Sequence, residues 1–447
     1  MPTATEAASL PPWPTAFRAL VERRNTLVLQ GPMGWFFSDL AEVLIREGQQ
    51  VTKVHFNGGD ACFWRHPGAL RYTGRHGDLA TWLRELMKRQ RIDAVVLFGQ
   101  MRPIHCVARS VAQELGVGIF VFEEGYLRPH YVTIERRGVN ALSRLPRLAS
   151  FYADQSATQQ PPLRPVPPQA TAQNIRRTAL IAAAYGIAAL VLRPWFPHQR
   201  HHRSLNPVTE PLRWARSYLR YLQYKVTEHG LQDRLTSAHL SKRWFLVPLQ
   251  VQADSQVTHH SPYRTIEAFI SDVMASFALH APAELGLVIK HHPMDRAYSH
   301  YRRHIDAEGR RLGIAHRVVY LHDQHLPTLL DHALGVVTIN STVGLQALHH
   351  GAPVITLGES VYSVPGLVHN GPLADFWQSP GVVDQALYER FRQHLITHTQ
   401  LNASFYAEAP ALRHIPPAKP PVFRPTRRAE LSQVDLPPSR VRDVADA

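Results

Sequence analysis

The sequence GLVIKHHPMD spans residues 286–295, and GVVTINSTVGLQALHHGAPVITLG spans residues 335–358. Between them, RVVYLHDQHLPTLLDHA (317–333) again places an apolar run before a helical pattern. Such alternation is typical of βαβ units in a parallel sheet, and ligands of these sheets bind at the carboxyl ends of the strands. Polar residues follow two of the strands, at 290–293 and 340–342. This pattern predicts a phosphate site, and hence a nucleotide site.

The alternation of strands and helices occurs twice along the chain. A first Rossmann-like domain is predicted at 25–150 and a second at 243–380. The predicted fold class is α/β, with two Rossmann-like domains whose parallel sheets face a central cleft. The apolar strand patterns lie at 26–30, 51–56, 93–99, 119–125, 245–251, 285–291, 317–322, 335–340 and 353–358.

The segments outside these two domains have a different composition. Flexible ends are expected at 1–24 and at the Pro- and Arg-rich 408–447, and a C-terminal helix at 381–407. Residues 151–242 are predicted to form a linker and a basic, apolar, helical segment next to a membrane. Within it, the apolar run 178–192 is shorter than the ~20 residues needed to span a bilayer. It fits either a helix buried between domains or a contact with a membrane surface.

Charge and motif content restrict the possible functions. The chain has 447 residues and a formal net charge of +14, which implies acidic partners such as nucleic acid, anionic lipid or a phosphorylated substrate. Two cysteines and the absence of a secretory signal pattern predict a cytoplasmic protein. No P-loop, D-x-D or G-x-S-x-G sequence occurs, and no metal site is expected from the spacing of the 27 histidines.

The polar strand ends of the second domain supply candidate nucleotide-binding residues. His292 can hydrogen-bond a phosphate oxygen, Pro293 fixes the turn, and Lys290 adds positive charge. Asn340, Ser341 and Thr342 precede a helical pattern, where they are predicted to cap the helix and bind phosphate. An ordinary helix cap that binds nothing is the alternative for these three residues.

A pair of carboxylates, Glu123 and Glu124, ends the strand before Gly125. Because neighbouring residues of a strand lie on opposite faces, only one is expected to reach the substrate, as a nucleophile or general base. A salt bridge to Arg128 or Arg102 is the alternative.

Four further residues are candidates for the cleft between the domains. Gly31 and Gly34 follow the first strand of the first domain, where glycine permits a tight turn. Gln252 and Asp254 end the first strand of the second domain, where a structural role fits them equally well.

Several long strings resemble the capsule-polysaccharide β-Kdo transferases of Gram-negative bacteria, and in particular the single-module members that start the poly-Kdo linker on a lipid. The resemblance covers roughly residues 25–150 and 243–405. It rests on FEEGYLRPHYVTIERRGVN (122–140), KHHPMDRAYSHY (290–301) and DQHLPTLLDHALGVVTINSTVGLQALHHGAPVITLG (323–358).

The resemblance implies a GT-B glycosyltransferase that uses CMP-Kdo as donor and a phosphatidylglycerol-type lipid as acceptor. It also implies retention of configuration, no metal and no cofactor. His292 and the Ser341–Thr342 pair match the CMP-binding motifs of the family. Glu124 stands where related multi-module enzymes carry an aspartate before glycine, and the longer side chain shifts the carboxylate by about one bond length.

A double displacement follows from this resemblance, with Glu124 as nucleophile and Glu123 or the departing phosphate as base. Arg128 or Arg102 would pair with the Kdo carboxylate. The expected location is the cytoplasmic face of the inner membrane, as a peripheral protein that works with other capsule assembly and export proteins and binds no nucleic acid. The alternatives are another CMP-sugar transferase, such as a sialyltransferase, a nucleotide-sugar epimerase and a non-catalytic subunit of the export machinery.

Overall fold

The computed structural model describes residues 13–154, 168–171, 175–198, 209–252 and 261–413. The strands of these residues are β1 (Asn25–Val28), β2 (Gln50–His55), β3 (Leu70–Arg71), β4 (Ala94–Phe98), β5 (Gly118–Glu124), β6 (Tyr131–Arg136), β7 (Trp244–Pro248), β8 (Gly286–Lys290), β9 (Val318–Leu321), β10 (Gly335–Thr338), β11 (Val354–Thr356) and β12 (Gln400–Asn402).

The helices of the first half and the middle segment are α1 (Thr15–Val21), α2 (Phe36–Arg46), α3 (Gly58–Cys62), α4 (Leu79–Arg89), α5 (Pro103–Glu114), α6 (Ala149–Asp154), α7 (Ile175–Val191), α8 (Thr209–Thr227) and α9 (Leu231–Thr236). Those of the second half are α10 (Ile266–His280), α11 (Arg302–Arg311), α12 (Leu326–His332), α13 (Val343–His349), α14 (Leu373–Gln378), α15 (Gln385–His398) and α16 (Pro410–Arg413).

The first sheet has seven strands in the order β12-β6-β5-β4-β1-β2-β3. Strands β1 to β5 pair in parallel, whereas β6 runs antiparallel to both β5 and β12. All five residues of the central β4, AVVLF, are buried, as expected for a strand covered on both faces. The strand order reverses between β1 and β4, so the carboxyl ends of these two strands border a crevice suited to a ligand.

The second sheet is wholly parallel, with the order β11-β10-β7-β8-β9. Its order reverses between β7 and β10, and a pair of side chains joins the two strand ends there. The Gln250 amide donates to Asn340 Oδ1 at 3.0 Å, and the Asn340 backbone N–H donates to Gln250 Oε1 at 3.3 Å. The two sheets confirm the predicted α/β class with two Rossmann-like domains.

All nine predicted strands are present, and three further strands were not predicted. β3 and β12 have only two and three residues, too few for a periodicity to be visible. β6 (YVTIER) lies directly after the predicted glycine turn and is buried over its first five residues. β6 pairs antiparallel with β5 on one side and with β12 on the other, so its place in the sheet depends on these neighbours as well as on its own sequence.

The two ends of the described chain pack more tightly than predicted. Within 1–24, expected to be flexible, Phe17 and Leu20 of α1 are fully buried. Within 408–447, also expected to be flexible, α16 buries Ala411 and Leu412. The Trp13 indole donates to the Ala411 carbonyl at 2.9 Å, so the two segments hold each other. The prediction of flexible ends is wrong for residues 13–24 and 408–413. Apolar residues are sparse there among Pro and Ala, so no apolar pattern was visible in the sequence. Residues 1–12 and 414–447 lie outside the described residues.

The apolar run at 178–192 forms most of α7, which packs against α3 of the first half. The hydroxyl of the buried Tyr185 accepts hydrogen bonds from Gln30 Nε2 at 3.2 Å and Asn57 Nδ2 at 3.0 Å. Its ring stacks on Phe63. The opposite side of α7 is exposed. Among the described residues, no helix is long and apolar enough to cross a bilayer.

After α15 the chain returns to the first sheet as β12, where the buried side chain of Gln400 anchors the turn between β5 and β6. Gln400 Oε1 accepts from the backbone N–H groups of Tyr126 and Leu127 at 3.1 and 3.3 Å. Its amide donates to Thr133 Oγ1 at 3.0 Å. The predicted C-terminal helical segment, 381–407, therefore contains both α15 and a strand of the first sheet.

We expect Gln400→Leu to lower the midpoint of thermal unfolding. A leucine of similar volume leaves the Leu127 N–H without its acceptor and the Tyr126 N–H with Thr133 Oγ1 alone, and an unpaired buried donor costs about 1–3 kcal/mol. Differential scanning fluorimetry measures the change. Gln378→Leu is the matched control, since the Gln378 amide is exposed and makes only a 3.5 Å contact with a carbonyl. Equal midpoints for the two variants would contradict the anchoring role of Gln400.

Candidate functional site

A cavity of about 760 Å³ lies where the β5–β6 turn, the strand ends of the second sheet and α15 meet. Its polar and ionisable lining comes from each of these elements. The lining includes Arg128, His130, Lys290, His291, His292, Asp323, Gln324, His325, Thr342, Gln346, His349, His350, Tyr388 and Arg392.

The charge of this lining favours an anion. Among the described lining residues, Asp323 is the one carboxylate, and it forms an ion pair with Arg296 at 2.5 Å. Arg128, Lys290 and Arg392 supply positive charge, and histidines supply further hydrogen-bond donors. Within the described residues, no three His, Cys, Asp or Glu side chains are arranged to hold a metal ion.

Lys290, at the end of β8, is buried, and its ammonium group donates to the His322 carbonyl at 2.8 Å. Burial lowers the pKa of Lys290 to about 8, against the opposing attraction of Asp323 and Glu228. A lysine with such a pKa still carries its charge at neutral pH. It can therefore attract a phosphate while its own hydrogen bond fixes its position.

His292 begins the turn after β8, and Pro293 is the first residue of a short 3₁₀ helix. The Met294 backbone N–H donates to His292 Nδ1 at 3.2 Å. Burial, together with the charges of Lys290 and Arg128, lowers the pKa of His292 to about 4. The neutral ring accepts at Nδ1 and so carries its proton on Nε2, where it can donate to an anion in the cavity.

The three predicted capping residues after β10, Asn340, Ser341 and Thr342, make different contacts. Asn340 pairs with Gln250, as described above, and the Ser341 hydroxyl accepts from the Val343 N–H at 3.2 Å. The Tyr362 hydroxyl donates to the Ser341 carbonyl. Thr342 is the N-cap residue of α13, makes no side-chain capping bond and lines the cavity. Asn340 and Ser341 thus shape the turn that presents Thr342.

The two carboxylates at the end of β5 interact with different cations. Burial raises the pKa of Glu124, and the guanidinium of Arg128 lowers it in part. Glu123 instead attracts Arg102, and its Oε1 accepts from the Glu124 N–H at 3.1 Å. Arg128 lines the cavity, and its charge influences the pKa of both Glu124 and His292. Glu123 and Glu124 are not among the lining residues of this cavity.

Gly125 is required by the closeness of the chain after the two glutamates. A Cβ atom at this position would overlap the carbonyl oxygen of Tyr131. The Arg128 Nε donates back to the Gly125 carbonyl at 3.3 Å. The Glu-Gly sequence therefore lets the β5–β6 turn fold tightly enough to bring Arg128 into the cavity.

Gly31, Gly34 and Arg102 lie together, but apart from the cavity. They follow β1 and β4, at the strand-order reversal of the first sheet. Arg102 Nη1 donates to the Gly31 carbonyl at 3.3 Å. Gly34 has a φ of +99° and lies beside Ile181 of α7. This group therefore borders α7 and not the nucleotide motifs.

Gln252 and Asp254 are the two candidates predicted at the end of the first strand of the second half. Gln252 Oε1 accepts from the Ile266 N–H at 2.8 Å, which holds the start of α10. Asp254 lies outside the described residues.

Several residues of the cavity were not singled out from the sequence. His325 lies three residues after a predicted strand, so its position after β9 was available as a signal. Arg392 and Tyr388 lie on α15, far beyond the strands, and no local pattern points to them. Glu228 does not line the cavity but accepts hydrogen bonds from both the backbone and the ring of the buried His322 nearby, and no local pattern points to it either.

Residues 93–406 match the family described as capsule polysaccharide biosynthesis protein. The chain belongs to this family. It is 41% identical over 391 residues to the capsule polysaccharide export protein KpsS of Escherichia coli, an alignment that covers 88% of this chain and 99% of that protein. The capsule polysaccharide modification protein LipB of Neisseria meningitidis is 38% identical over 398 residues, which cover 87% of this chain and 93% of LipB. The resemblance to capsule proteins that the sequence indicated is thus confirmed.

Among solved structures, the chain is similar to KpsC of Thermosulfurimonas dismutans, a β-Kdo 2,7 transferase. That alignment has 12% identity and a TM-score of 0.38, and it covers 86% of this chain and 92% of the KpsC chain.

We expect the affinity of the cavity for a phosphate monoester to fall as the pH rises through about 8. An anion binds better to the ammonium form of Lys290, whose pKa is lowered to that value. Isothermal titration calorimetry from pH 7 to 9.5 should show a loss on the order of tenfold. Lys290→Met should flatten this response, whereas Lys88→Met, at an exposed position on α4, should preserve it. A pH-independent affinity of the unmodified protein would contradict the role of Lys290.

Proposed function

We propose that this protein is a retaining glycosyltransferase that moves β-Kdo from CMP-Kdo to a phosphatidylglycerol-type lipid and so starts the poly-Kdo linker of a capsular polysaccharide. Membership of the capsule family supports the pathway. The observation that carries the site assignment is the cationic cavity, which Arg128 lines from the first half and Lys290, His292 and Thr342 line from the second.

The donor phosphate would bind at the strand ends of the second half. Lys290 supplies positive charge, His292 donates from Nε2, and Thr342 offers its hydroxyl. CMP gains negative charge as it leaves, and preorganised donors of this kind stabilise such charge best in a cavity that excludes water. These groups support a metal-independent reaction, with residues 243–380 as the nucleotide-binding half.

In the first step, a carboxylate oxygen of Glu124 attacks the anomeric carbon of Kdo. The bond from this carbon to the phosphate oxygen breaks, CMP departs with the bonding electron pair, and a glycosyl ester forms on the enzyme. Arg128 would pair with the Kdo carboxylate and hold the sugar beside Glu124. Because burial raises the pKa of Glu124, the charge of Arg128 also helps to keep the attacking carboxylate ionised.

In the second step, a glycerol hydroxyl of the lipid attacks the same carbon from the opposite face. The ester bond breaks, Glu124 regains its charge, and the second inversion restores the configuration of the donor. Glu123 or the departed phosphate would accept the hydroxyl proton. Glu123 lies next to Glu124 in the chain and accepts its backbone N–H. Residues 25–150 would therefore supply the acceptor side of the site.

The lipid acceptor implies a location for the reaction. A lipid headgroup on the cytoplasmic leaflet can be reached by a peripheral protein without a spanning helix. We propose that the protein works at the cytoplasmic face of the inner membrane together with other capsule assembly and export proteins. The name of the Escherichia coli relative, an export protein, is the support for such partners.

We expect CMP release from CMP-Kdo, generated in situ, to depend on phosphatidylglycerol, and the lipid to gain the mass of one Kdo residue. Phosphatidylcholine, which has no free hydroxyl, is the control. A coupled assay for CMP and mass spectrometry of the lipid give the two readouts. Release from CMP-sialic acid and not from CMP-Kdo would reassign the donor, and no release with either donor would overturn the transferase assignment.

Glu124→Gln should reduce CMP release by several orders of magnitude and leave the affinity for CMP within about twofold. The amide keeps the shape of the side chain but cannot form the glycosyl ester. Glu123→Gln is the matched variant, because the two residues adjoin and have the same half-buried class. Full activity of Glu124→Gln with loss in Glu123→Gln would exchange their roles, and full activity of both would exclude a glutamate nucleophile.

A further inference from the structure

Helix α8 exposes the apolar side of its surface to solvent. The six exposed residues that define this outer face are Leu212, Trp214, Tyr218, Leu219, Leu222 and Val226. Val226 is 77% and Leu219 is 65% exposed. In an ordinary surface helix the apolar side faces the core and the polar side faces water, so this helix has the reverse orientation.

Polar contacts to the second half hold the inner side of α8. Arg220 Nη1 donates to the Arg296 carbonyl at 2.5 Å, and Arg296 Nη1 donates to the Ser217 carbonyl at 3.4 Å. The ring of Tyr224 stacks on His322 at 3.6 Å. Since these groups would lose their partners if α8 rotated, the outer face cannot turn inward to bury itself.

Helix α7 has a matching arrangement on the first half. Tyr185 fixes one side of it over Gln30 and Asn57, as described above. Leu180, Ile187 and Val191 on the other side are each more than 60% exposed. These three lie four to seven residues apart, so they form one stripe along the helix.

The two helices lie at the ligand edges of the two sheets. α7 contacts residues that follow β1 and β2, and α8 contacts His322 and Arg296, which follow β9 and β8. A substrate that enters the cleft at these strand ends would therefore pass close to exposed apolar surface.

The charge around these surfaces is strongly positive. The described residues 175–198 and 209–227 contain seven Arg and Lys against one acidic residue in the sequence, Glu210. Arg216 and Lys225 are exposed on α8 itself. Basic residues beside an apolar face with Trp and Tyr are the features of helices that lie in a membrane interface, where cations are attracted to an anionic leaflet.

We infer that the outer face of α8, together with the exposed stripe of α7, docks on the surface of an anionic bilayer. The 19 residues of α8 form a helix about 28 Å long that would lie in the plane of the headgroups. The docking itself does not depend on the proposed chemistry. It gives the proposed reaction its orientation, because the lipid acceptor then lies at the mouth of the cleft.

The first test is co-sedimentation of the full chain with vesicles of phosphatidylcholine alone and of phosphatidylcholine with phosphatidylglycerol. The unmodified protein should bind the anionic vesicles preferentially. The double variant Leu219→Glu/Val226→Glu should need at least about tenfold more lipid for half-binding, since two exposed apolar side chains that docking would bury are replaced by carboxylates. The matched control is Leu279→Glu/Val382→Glu, whose side chains are 78% and 94% exposed outside α7 and α8. This control should bind as the unmodified protein does.

A second pair of variants tests the charge. Arg216→Glu/Lys225→Glu should weaken binding to anionic vesicles, whereas Arg303→Glu/Arg310→Glu, at exposed positions on α11, should weaken it much less. Two results would overturn the inference. One is vesicle binding that the α8 variants leave unchanged. The other is a concentration-dependent dimer, seen by analytical ultracentrifugation, that the α8 variants abolish, because a second copy of the chain would then cover the outer face.

A soluble acceptor separates this inference from the proposed function. With short-chain, micelle-free phosphatidylglycerol, the Leu219→Glu/Val226→Glu variant should release CMP at the unmodified rate, and with vesicles it should be impaired. Equal rates on vesicles would refute docking and leave the transferase intact. Absence of CMP release on either acceptor, with vesicle binding retained, would refute the transferase and leave docking intact.

Discussion

The turn that carries Glu124 and Arg128 depends on one buried amide from the far end of the chain. Gln400 accepts the N–H group of Leu127 and shares the N–H group of Tyr126 with Thr133 Oγ1. Its neighbour Asn402 donates to the His130 carbonyl at 2.8 Å on the same turn. The cavity wall formed by the first half is thus positioned by residues that follow the whole second half. A mutation near residue 400 can therefore disturb the cleft without touching a substrate.

Tyr126 of this turn also belongs to a buried polar network that includes neither Glu123 nor Glu124. The Tyr126 hydroxyl donates to Glu135 and accepts the Asn140 N–H, both at 2.6 Å. Burial raises the pKa of Glu135 to about 7, against the stabilising donors Ser143 and Tyr126. The folded protein therefore retains a proton on Glu135 that the unfolded chain releases above its ordinary pKa. This contribution to stability is full in acid and is lost as the pH rises through about 7.

The sequence was sufficient where a pattern is local and insufficient where a partner is distant. Buried strands such as β4 are continuous apolar runs, and the ends of β8 and β10 place Lys290, His292 and Thr342 directly after such runs. By contrast, β12 has three residues and forms through its antiparallel pairing with the edge strand β6. Arg392 enters the cavity from a helix whose position depends on that return. The apolar run at 178–192 was ambiguous for a physical reason, because α7 has both a packed side and an exposed side.

The position of β12 has a consequence for the order in which the chain can fold. Gln400 and Tyr126 are separated by 274 positions, yet they meet inside the first sheet. During synthesis, the strands of the first half emerge early, but β6 remains an open edge until the second Rossmann-like unit has emerged and β12 follows it. Such non-local pairing slows folding, and an unpaired edge can join to another chain. The half that is translated first is therefore the half that is completed last.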